Sequence, residues 1–158
     1  MKPVEITVDI DRPTEDVFAY LDEVTNNTAW LKGMQSCTWT TDPPVRVGSR
    51  YEQAARFLGK EIRTSFEVTA REPGRLVTIE SREGSSFPLT VTRRVDSLGE
   101  SRCRVVETVE SDPSGFYRVT QPLLRAMVAR NIRRDYRRLK ALLEQGGENP
   151  PRPRLPDP

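Results

Sequence analysis

The sequence contains no histidine among its 158 residues. Histidine is the commonest general base, a frequent metal ligand and the side chain that titrates near neutral pH. A metal site would therefore have to use cysteine and carboxylate side chains, and the sequence spaces neither in the manner of metal ligands. We expect no metal and no other cofactor, so any chemistry must come from other side chains.

Cysteine and long apolar runs are also scarce. Cys37 and Cys103 are far apart, and each is flanked by strand-forming residues, which predicts two reduced, partly buried thiols rather than a disulfide. No run approaches the roughly 20 apolar residues of a membrane span, and no signal sequence is recognisable. We expect a cytoplasmic protein. Its net charge of +2 gives no reason to expect a nucleic-acid partner.

The first thirty residues change periodicity in the middle. Val4, Ile6, Val8 and Ile10 alternate as in a strand with one buried face. Pro13 is suited to the first turn of a helix, and the apolar spacing that follows predicts a short amphipathic helix over residues 13–22. A second helical turn is predicted over residues 28–31, and Trp30 is expected either to plug the core or to form a wall against a ligand.

Most of the remaining chain is predicted to be β-structure with turn-like connections. The predicted strands cover residues 34–41, 48–57, 60–72, 75–83, 87–97 and 102–111. Short connections predict sequential antiparallel pairing, so these strands and the first one should form a single curved sheet of seven. Along 60–72, alternation places five residues on the inner face, namely Ile62, Thr64, Phe66, Val68 and Ala70.

The last predicted element is the longest helix, which ends near residue 145. Leu124, Val128, Ile132, Tyr136 and Leu139 repeat at helical spacing and define its buried stripe. Such a helix should cover the concave side of the sheet in an α+β fold, and space left beneath it is a natural ligand site. We predict one domain over residues 1–146 and a disordered, Pro- and Arg-rich tail over 147–158.

Three segments carry a resemblance to a known family. They are VEITVDIDRPTEDVFAYLDEVTNNTAWL (residues 4–31), PGRLVTIES (73–81) and PLLRAMVARNIRRDYRRLKALLE (122–144). These segments resemble the START-like, polyketide cyclase/dehydratase-like superfamily, also called SRPBCC. The resemblance implies the helix-grip fold of the birch-pollen-allergen type, in which a seven-stranded sheet wraps a long C-terminal helix.

For function, the resemblance leaves three alternatives open. The first is a binding protein for a small hydrophobic or aromatic molecule, either polyketide-like or lipid-like, held in an internal cavity. The second is a polyketide cyclase or dehydratase acting on such a ligand. The third is a co-chaperone-like interaction module. A monomer and a homodimer are equally compatible with the sequence.

Two charges interrupt inner strand faces that are otherwise apolar, Arg93 and Glu107. If the hairpin turns at Glu100, these residues lie opposite each other and attract. They form a buried or rim salt bridge, or a bulge turns one of them outward, or they are the polar anchor of a pocket. As an anchor, Arg93 would hold a ligand oxygen and Glu107 would accept a proton, with Tyr51 as a third candidate catalytic residue.

The candidate ligand-binding residues are those expected to point into the space between sheet and helix. They are Gln53, Phe57, Phe66, Ile79, Ser81, Phe87, Val91, Leu124, Met127, Val128 and Asn131. For Tyr51 and Gln53 the alternative is a place at the strand edge or the cavity mouth, and for the helical apolar residues it is ordinary core. Asn131 is expected to face the sheet and to need a polar partner there.

The long helix is also rich in arginine, including Arg130, Arg133, Arg134 and Arg137. A solvated helix face accounts for this pattern. The resemblance adds a second interpretation, in which the basic face docks an acidic carrier protein that delivers a tethered polyketide.

Overall fold

A computed structural model describes residues 3–57, 59–82, 88–111 and 117–145. The strands are β1 (Val4–Ile10), β2 (Met34–Trp39), β3 (Arg50–Phe57), β4 (Lys60–Glu72), β5 (Leu76–Ser81), β6 (Leu89–Gly99) and β7 (Arg102–Ser111). The helices are α1 (Thr14–Asp22), α2 (Asn27–Trp30) and α3 (Tyr117–Gln145), and a 3₁₀ turn, Val24–Asn26, joins α1 to α2. The predicted tail, 147–158, lies outside the described residues.

The seven strands form one antiparallel sheet in the order β1-β7-β6-β5-β4-β3-β2. Each strand from β2 to β7 pairs with its neighbour in sequence, because the connections are too short for a crossover. β1 is the edge strand beside β7 and pairs with it, with Val4 opposite Val109 and Ile10 opposite Cys103. The sheet is curled around the core and α3 follows it in sequence, which confirms the predicted α+β helix-grip fold.

The segment between β1 and β2 plugs one end of the curled sheet. α1 begins after Pro13, and Glu15 and Asp16 place negative charge at the positive end of its dipole. Its apolar side chains are buried against the sheet, and the 3₁₀ turn carries the chain directly into α2, so the second helical turn starts at Asn27 and not at residue 28. We call residues 14–30 the plug segment.

Gly33 allows the plug segment to meet the sheet closely. Its φ of +85° is a conformation that favours glycine, and a Cβ there would lie 2.7 Å from the carbonyl oxygen of Arg56. The Arg56 N–H donates to the Gly33 carbonyl over 2.7 Å. Any side chain at this position would push β2 away from β3.

The register of the β6–β7 hairpin agrees with the prediction from its turn. Arg93 lies opposite Glu107, Val95 opposite Val105, and Val91 opposite Val109. β4 differs from the prediction, because an irregularity between Val68 and Ala70 shifts its register against β5. The predicted inner position of Ala70 is therefore wrong: Ala70 is exposed, and Arg71 pairs with Val77, on the inner face.

α3 runs parallel to β1 and is fastened to it by polar contacts along its length. Arg125 donates to the carbonyl of Pro3 over 3.0 Å. Further along, Lys140 Nζ donates to the Asp9 carbonyl over 2.7 Å and to Glu144 Oε1 over 2.6 Å. The N–H of Asp11 donates to the same Glu144 oxygen over 3.1 Å. Although partial burial raises the pKa of Glu144, the hydrogen bonds from Lys140 and Asp11 outweigh this and lower it overall.

The hydrogen bonds of Lys140 to Asp9 and Glu144 predict a contribution of this side chain to stability. Lys140→Met keeps the aliphatic stem and removes both hydrogen bonds of the ammonium group, which should lower the free energy of unfolding by about 1–2 kcal/mol. Urea denaturation measures the change. Arg137→Met, at an exposed position of the same helix, is the control and should stay within about 0.5 kcal/mol of the parent. Equal effects of the two variants would contradict the role given to Lys140.

Candidate functional site

The candidate site centres on a buried ion pair between two neighbouring strands. Arg93 Nε donates to Glu107 Oε1 over 3.0 Å, and the two residues are 8% and 5% exposed. Adjacent positions on β6 and β7 bring the side chains together, since residues directly opposite on an antiparallel pair share one face. The pairing and burial of both side chains exclude a salt bridge at the rim and a bulge that turns one residue outward. A buried salt bridge and a pocket anchor both agree with the observed pairing.

A tyrosine from α3 completes this pair. The Tyr136 hydroxyl donates to the same Glu107 oxygen, Oε1, over 3.0 Å, and Tyr136 is 1% exposed. Burial, and then the charge of Glu107, raise the pKa of Tyr136 well above its ordinary value. The phenol therefore stays protonated and donates. We call Arg93, Glu107 and Tyr136 the polar triad.

Burial by itself lowers the pKa of the Arg93 guanidinium. Tyr136, Glu107 and Tyr51 outweigh this effect, so that the net shift is upward and Arg93 remains a cation. The guanidinium carbon lies 5.1 Å from the ring centre of Trp30, and Trp30 meets Tyr136 edge to face with ring centres 5.0 Å apart. Trp30 is fully buried, as expected of a core plug, and it also provides an aromatic face for the cation.

A second group of aromatic rings lies beside the triad. Tyr51 stacks on Phe66 with ring centres 5.4 Å apart, and Trp39 meets Tyr51 edge to face at 5.5 Å. Burial raises the pKa of Tyr51, which keeps its hydroxyl protonated. The Trp39 indole donates to Glu23 Oε1 over 2.7 Å, which joins β2 to the plug segment.

A small cavity separates the plug segment from the sheet next to Arg93. Its volume is about 10 Å³, close to the room needed by one water molecule. It is lined by Leu21, Asp22, Val24, Trp39, Val45, Tyr51, Val68, Val77, Ile79, Val91 and Arg93. A wall of this composition is mostly apolar, with one cation, one carboxylate and one phenol.

Several candidate residues from the sequence meet at this cavity. Tyr51, Ile79, Val91 and Arg93 line it. Phe66 is buried behind Tyr51, and Glu107 holds Arg93 from the adjacent strand. The sequence therefore identified a sheet-side cluster that the fold does bring together.

Other candidates lie elsewhere. Gln53 is half-buried and lines an open polar depression of about 400 Å³ over β2, β3 and β4, together with Thr64 and Glu52. Ser81 Oγ accepts a hydrogen bond from the Leu89 N–H over 2.8 Å, a contact that stabilises the end of the β5–β6 pair. Neither residue lines the cavity beside Arg93.

Met127, Val128 and Asn131, the helical candidates whose side chains are described, do not line that cavity either. Met127 and Val128 are half-buried. Asn131 is exposed, so the prediction that it faces the sheet is wrong. It lies one turn before Asp135, whose carboxylate is covered by the turn after α2 and accepts the Lys32 N–H over 3.1 Å. All of Phe87 and the side chains of Phe57 and Leu124 lie outside the described residues.

Two functional candidates were missed by the sequence reasoning. Tyr136 was recognised only as part of the helix stripe, and Trp39 was assigned no position. A signal existed for Tyr136, because a hydroxyl on a buried stripe needs a partner and Glu107 was the buried acceptor available. Nothing in the sequence placed Trp39 next to Glu23.

The cysteines lie apart from each other and are unbonded. Cys37 and Cys103 are both buried free thiols, as predicted. Asn27 Nδ2 contacts Cys37 Sγ at 3.8 Å, and burial raises the pKa of the Cys37 thiol to about 11. Such a thiol is a poor nucleophile at neutral pH.

The basic face of α3 lies outside the cavity. Arg130, Arg133, Arg134 and Arg137 are all exposed, and none of the four makes an ion pair with any described residue. Their spacing of three, one and three residues places them on one side of the helix. No helix in the described ranges is long and apolar enough to cross a membrane.

A buried cation with one face on an aromatic ring and another towards an apolar cavity can bind an oxygen atom of a small molecule. A carbonyl, enolate or carboxylate oxygen would be suitable. A guanidinium has five N–H donors, and of the five in Arg93 only the Nε–H donates to Glu107. The protonated phenol of Tyr51 adds a hydroxyl at the same cavity.

The fold, a curled seven-stranded antiparallel sheet with a long C-terminal helix, is that of a helix-grip protein. A family model described as polyketide cyclase/dehydrase and lipid transport matches residues 1–144. The chain belongs to this family. No curated protein matches the chain significantly.

Solved structures share the fold at low sequence identity. TTHA0849 from Thermus thermophilus superposes with a TM-score of 0.74 at 20% identity, covering 87% of this chain and 94% of that one. A START superfamily protein from Mycobacterium smegmatis gives 0.73 at 14%, covering 92% and 99%. The Zhui aromatase/cyclase from Streptomyces sp. R1128 gives 0.67 at 13%, covering 92% and 98%.

The polar triad predicts a large effect of removing its anion. Glu107→Gln leaves Arg93 buried without a negative partner and should lower the free energy of unfolding by about 3–5 kcal/mol. Glu110→Gln, the same change at an exposed position of β7, should stay within about 0.5 kcal/mol of the parent. Urea denaturation of both variants measures the difference, and a loss below about 1 kcal/mol for Glu107→Gln would show that the pair is not buried in solution.

Proposed function

We propose that the protein binds a small hydrophobic or aromatic molecule, polyketide-like or lipid-like, inside the grip, and that Arg93 holds an oxygen atom of that molecule. The observation that carries the proposal is a buried guanidinium at a cavity that is otherwise mostly apolar. The family to which the chain belongs supports it, since the family description joins polyketide chemistry and lipid transport.

The polar triad is difficult to explain by stability alone. Burying an arginine and a glutamate removes both from water, and apolar side chains of similar volume often stabilise a core equally well or better. A binding role would explain why Arg93 is buried, because specificity for an oxygen-bearing ligand requires a few polar groups in an apolar site.

The size of the cavity bears directly on this proposal. Pockets for drug-sized molecules usually measure about 300–1,000 Å³, whereas the space beside Arg93 measures about 10 Å³. Binding therefore requires the walls to separate. If side chains continued to fill the space between the sheet and the helix, the co-chaperone-like interaction module would be favoured instead.

Calorimetric titration with 2-naphthoate tests the proposal. The parent protein should bind 2-naphthoate in a one-to-one complex and should bind naphthalene-2-carboxamide, its neutral counterpart, about tenfold more weakly, because charge-assisted hydrogen bonds are roughly twice as strong as neutral ones. The double variant Arg93→Met/Glu107→Leu removes both charges together, so it should fold and lose this preference.

Two results would contradict the proposal. One is the absence of binding by either compound, together with a bare protein mass in native mass spectrometry after purification from its own host. The other is an unchanged preference for the anion in the double variant, which would separate binding from Arg93.

A polyketide cyclase or dehydratase is the second candidate, and the polar triad favours it specifically. In this alternative Arg93 stabilises an enolate oxygen, and Tyr51, which lines the cavity, donates a proton from a hydroxyl kept protonated by burial. The hydroxyl of Tyr136 is already used, because it donates to Glu107. Glu107 is less suited to act as the base we expected, because its Oε1 already accepts hydrogen bonds from both Arg93 and Tyr136.

The basic face of α3 is proposed to dock an acidic carrier protein. The double variant Arg133→Glu/Arg137→Glu should weaken binding to an acyl carrier protein from the same host by at least about tenfold at low salt, because like charges now face each other. Arg56→Glu/Arg82→Glu, which reverses two exposed arginines elsewhere, is the control. Equal binding by the two double variants in biolayer interferometry would exclude this face as the docking site.

A further inference from the structure

The cavity beside Arg93 has two walls of different construction. One wall belongs to the sheet, whose strands are joined by antiparallel pairing. The other wall is Leu21, Asp22 and Val24 of the plug segment. The plug segment is not a strand of the sheet, so it can move without breaking strand pairing.

Two side-chain contacts hold the plug segment to the sheet at this place. The first joins Asp22 to Arg71 through two hydrogen bonds of 2.8 and 3.1 Å, and the Arg71 guanidinium lies over the Phe18 ring at 5.9 Å. The second is the 2.7 Å hydrogen bond from the Trp39 indole to Glu23. Both contacts are only partly buried, so water can replace them when the walls separate.

Trp39 is placed to control the size of the cavity. Its ring lines the cavity, packs against Tyr51 and is half-buried at the boundary with solvent. Glu23 fixes the position of the ring, because the carboxylate oxygen that accepts from the indole also accepts from the backbone N–H of Thr25 at the start of the 3₁₀ turn. A change of the Thr25 side chain leaves this backbone contact in place. A movement of the ring would open the cavity between β2 and the plug segment.

The adjacent loop has an apolar edge. Val45 lines the cavity, and Val47, two residues further on, is 59% exposed. Val45 therefore places the loop before β3 at the edge of the cavity.

We propose that Trp39 is the gate residue of the grip: its ring closes the cavity between β2 and the plug segment, its hydrogen bond to Glu23 holds it closed, and its bulk determines the size of ligand admitted. This proposal rests on the proposed binding function. The ligand is a planar apolar molecule with an oxygen for Arg93, and it reaches the site past Trp39 and Val45.

Stopped-flow tryptophan fluorescence with 2-naphthoate tests the gate. Trp39→Phe keeps an aromatic ring and loses the bond to Glu23, while Glu23→Ala keeps the indole and loses its acceptor. Both should raise the association rate and the affinity by about tenfold, because the binding-competent open state becomes more populated. In Trp39→Phe the signal comes from Trp30, which lies against Arg93.

A matched control separates the gate from general loosening of the plug segment. Thr25→Ala removes the hydroxyl contact with Glu23 and leaves the indole bond in place, so its association rate should equal that of the parent. Trp39→Ala should in addition bind a larger anion, anthracene-2-carboxylate, because removal of the ring enlarges the cavity. The parent should bind this anion at least about tenfold more weakly than Trp39→Ala does.

Hydrogen exchange without ligand makes a failure of the gate distinguishable from a failure of the binding function. Trp39→Phe and Glu23→Ala should accelerate exchange of the Asn26 and Leu31 amides, which donate to the carbonyls of Glu23 and Asn27 in the plug segment, and Thr25→Ala should do so less. Binding of 2-naphthoate with parent-like rates in both gate variants would overturn the gate and leave the binding function intact. Absence of binding by every variant would overturn both.

Discussion

The ion pair between Arg93 and Glu107 is the interaction on which the other parts of the structure converge. It exists because the β6–β7 hairpin places these residues opposite each other. The helix reaches it through the Tyr136 hydroxyl, and the plug segment reaches it through the Trp30 ring. Sheet, helix and plug segment therefore all contact one buried pair of charges, and a change in any of the three alters the surroundings of that pair.

This arrangement constrains how the protein can bind a ligand. A buried charge pair is strengthened by its low-dielectric surroundings, and the same surroundings make an unpaired charge costly. A ligand that bound Arg93 by displacing Glu107 would leave the carboxylate buried with only Tyr136 as a partner. Binding through the N–H donors of Arg93 that Glu107 does not use preserves the pair, which favours ligands that approach from the cavity side.

The fold was predictable from the sequence to a large extent because its local signals agree. Alternating apolar residues, short turns and one long amphipathic helix all indicate a single curled antiparallel sheet with a covering helix. The pairing of Arg93 with Glu107 followed from the turn position alone. The irregularity in β4 could not be predicted in this way, because one additional residue reverses the face of every residue after it, as the exposure of Ala70 shows.

The site was predictable only on the side of the sheet. Strand alternation decides which face a residue occupies, and it predicted inner positions for Tyr51, Ile79, Val91 and Arg93, which line one cavity. Their roles as site residues stay a prediction. The helix side failed because helical spacing leaves the boundary of the buried stripe uncertain, so Asn131 was placed inward and Tyr136 was not assigned to Glu107. The volume of the cavity depends on how side chains from segments far apart in sequence pack together. No local sequence pattern predicts that packing.

The pairing of β1 with β7 has a consequence for folding during synthesis on the ribosome. Val4 finds its partner only at Val109, so the first strand is complete long before the last one has been translated. At 5–20 residues per second this delay is on the order of ten seconds. During that time β1 presents an unpaired apolar face, with Ile6 and Ile10 among its side chains, in a chain whose sheet cannot yet close. Early capture of β1 by a chaperone, or by its own plug segment, would protect the nascent chain from pairing with another copy.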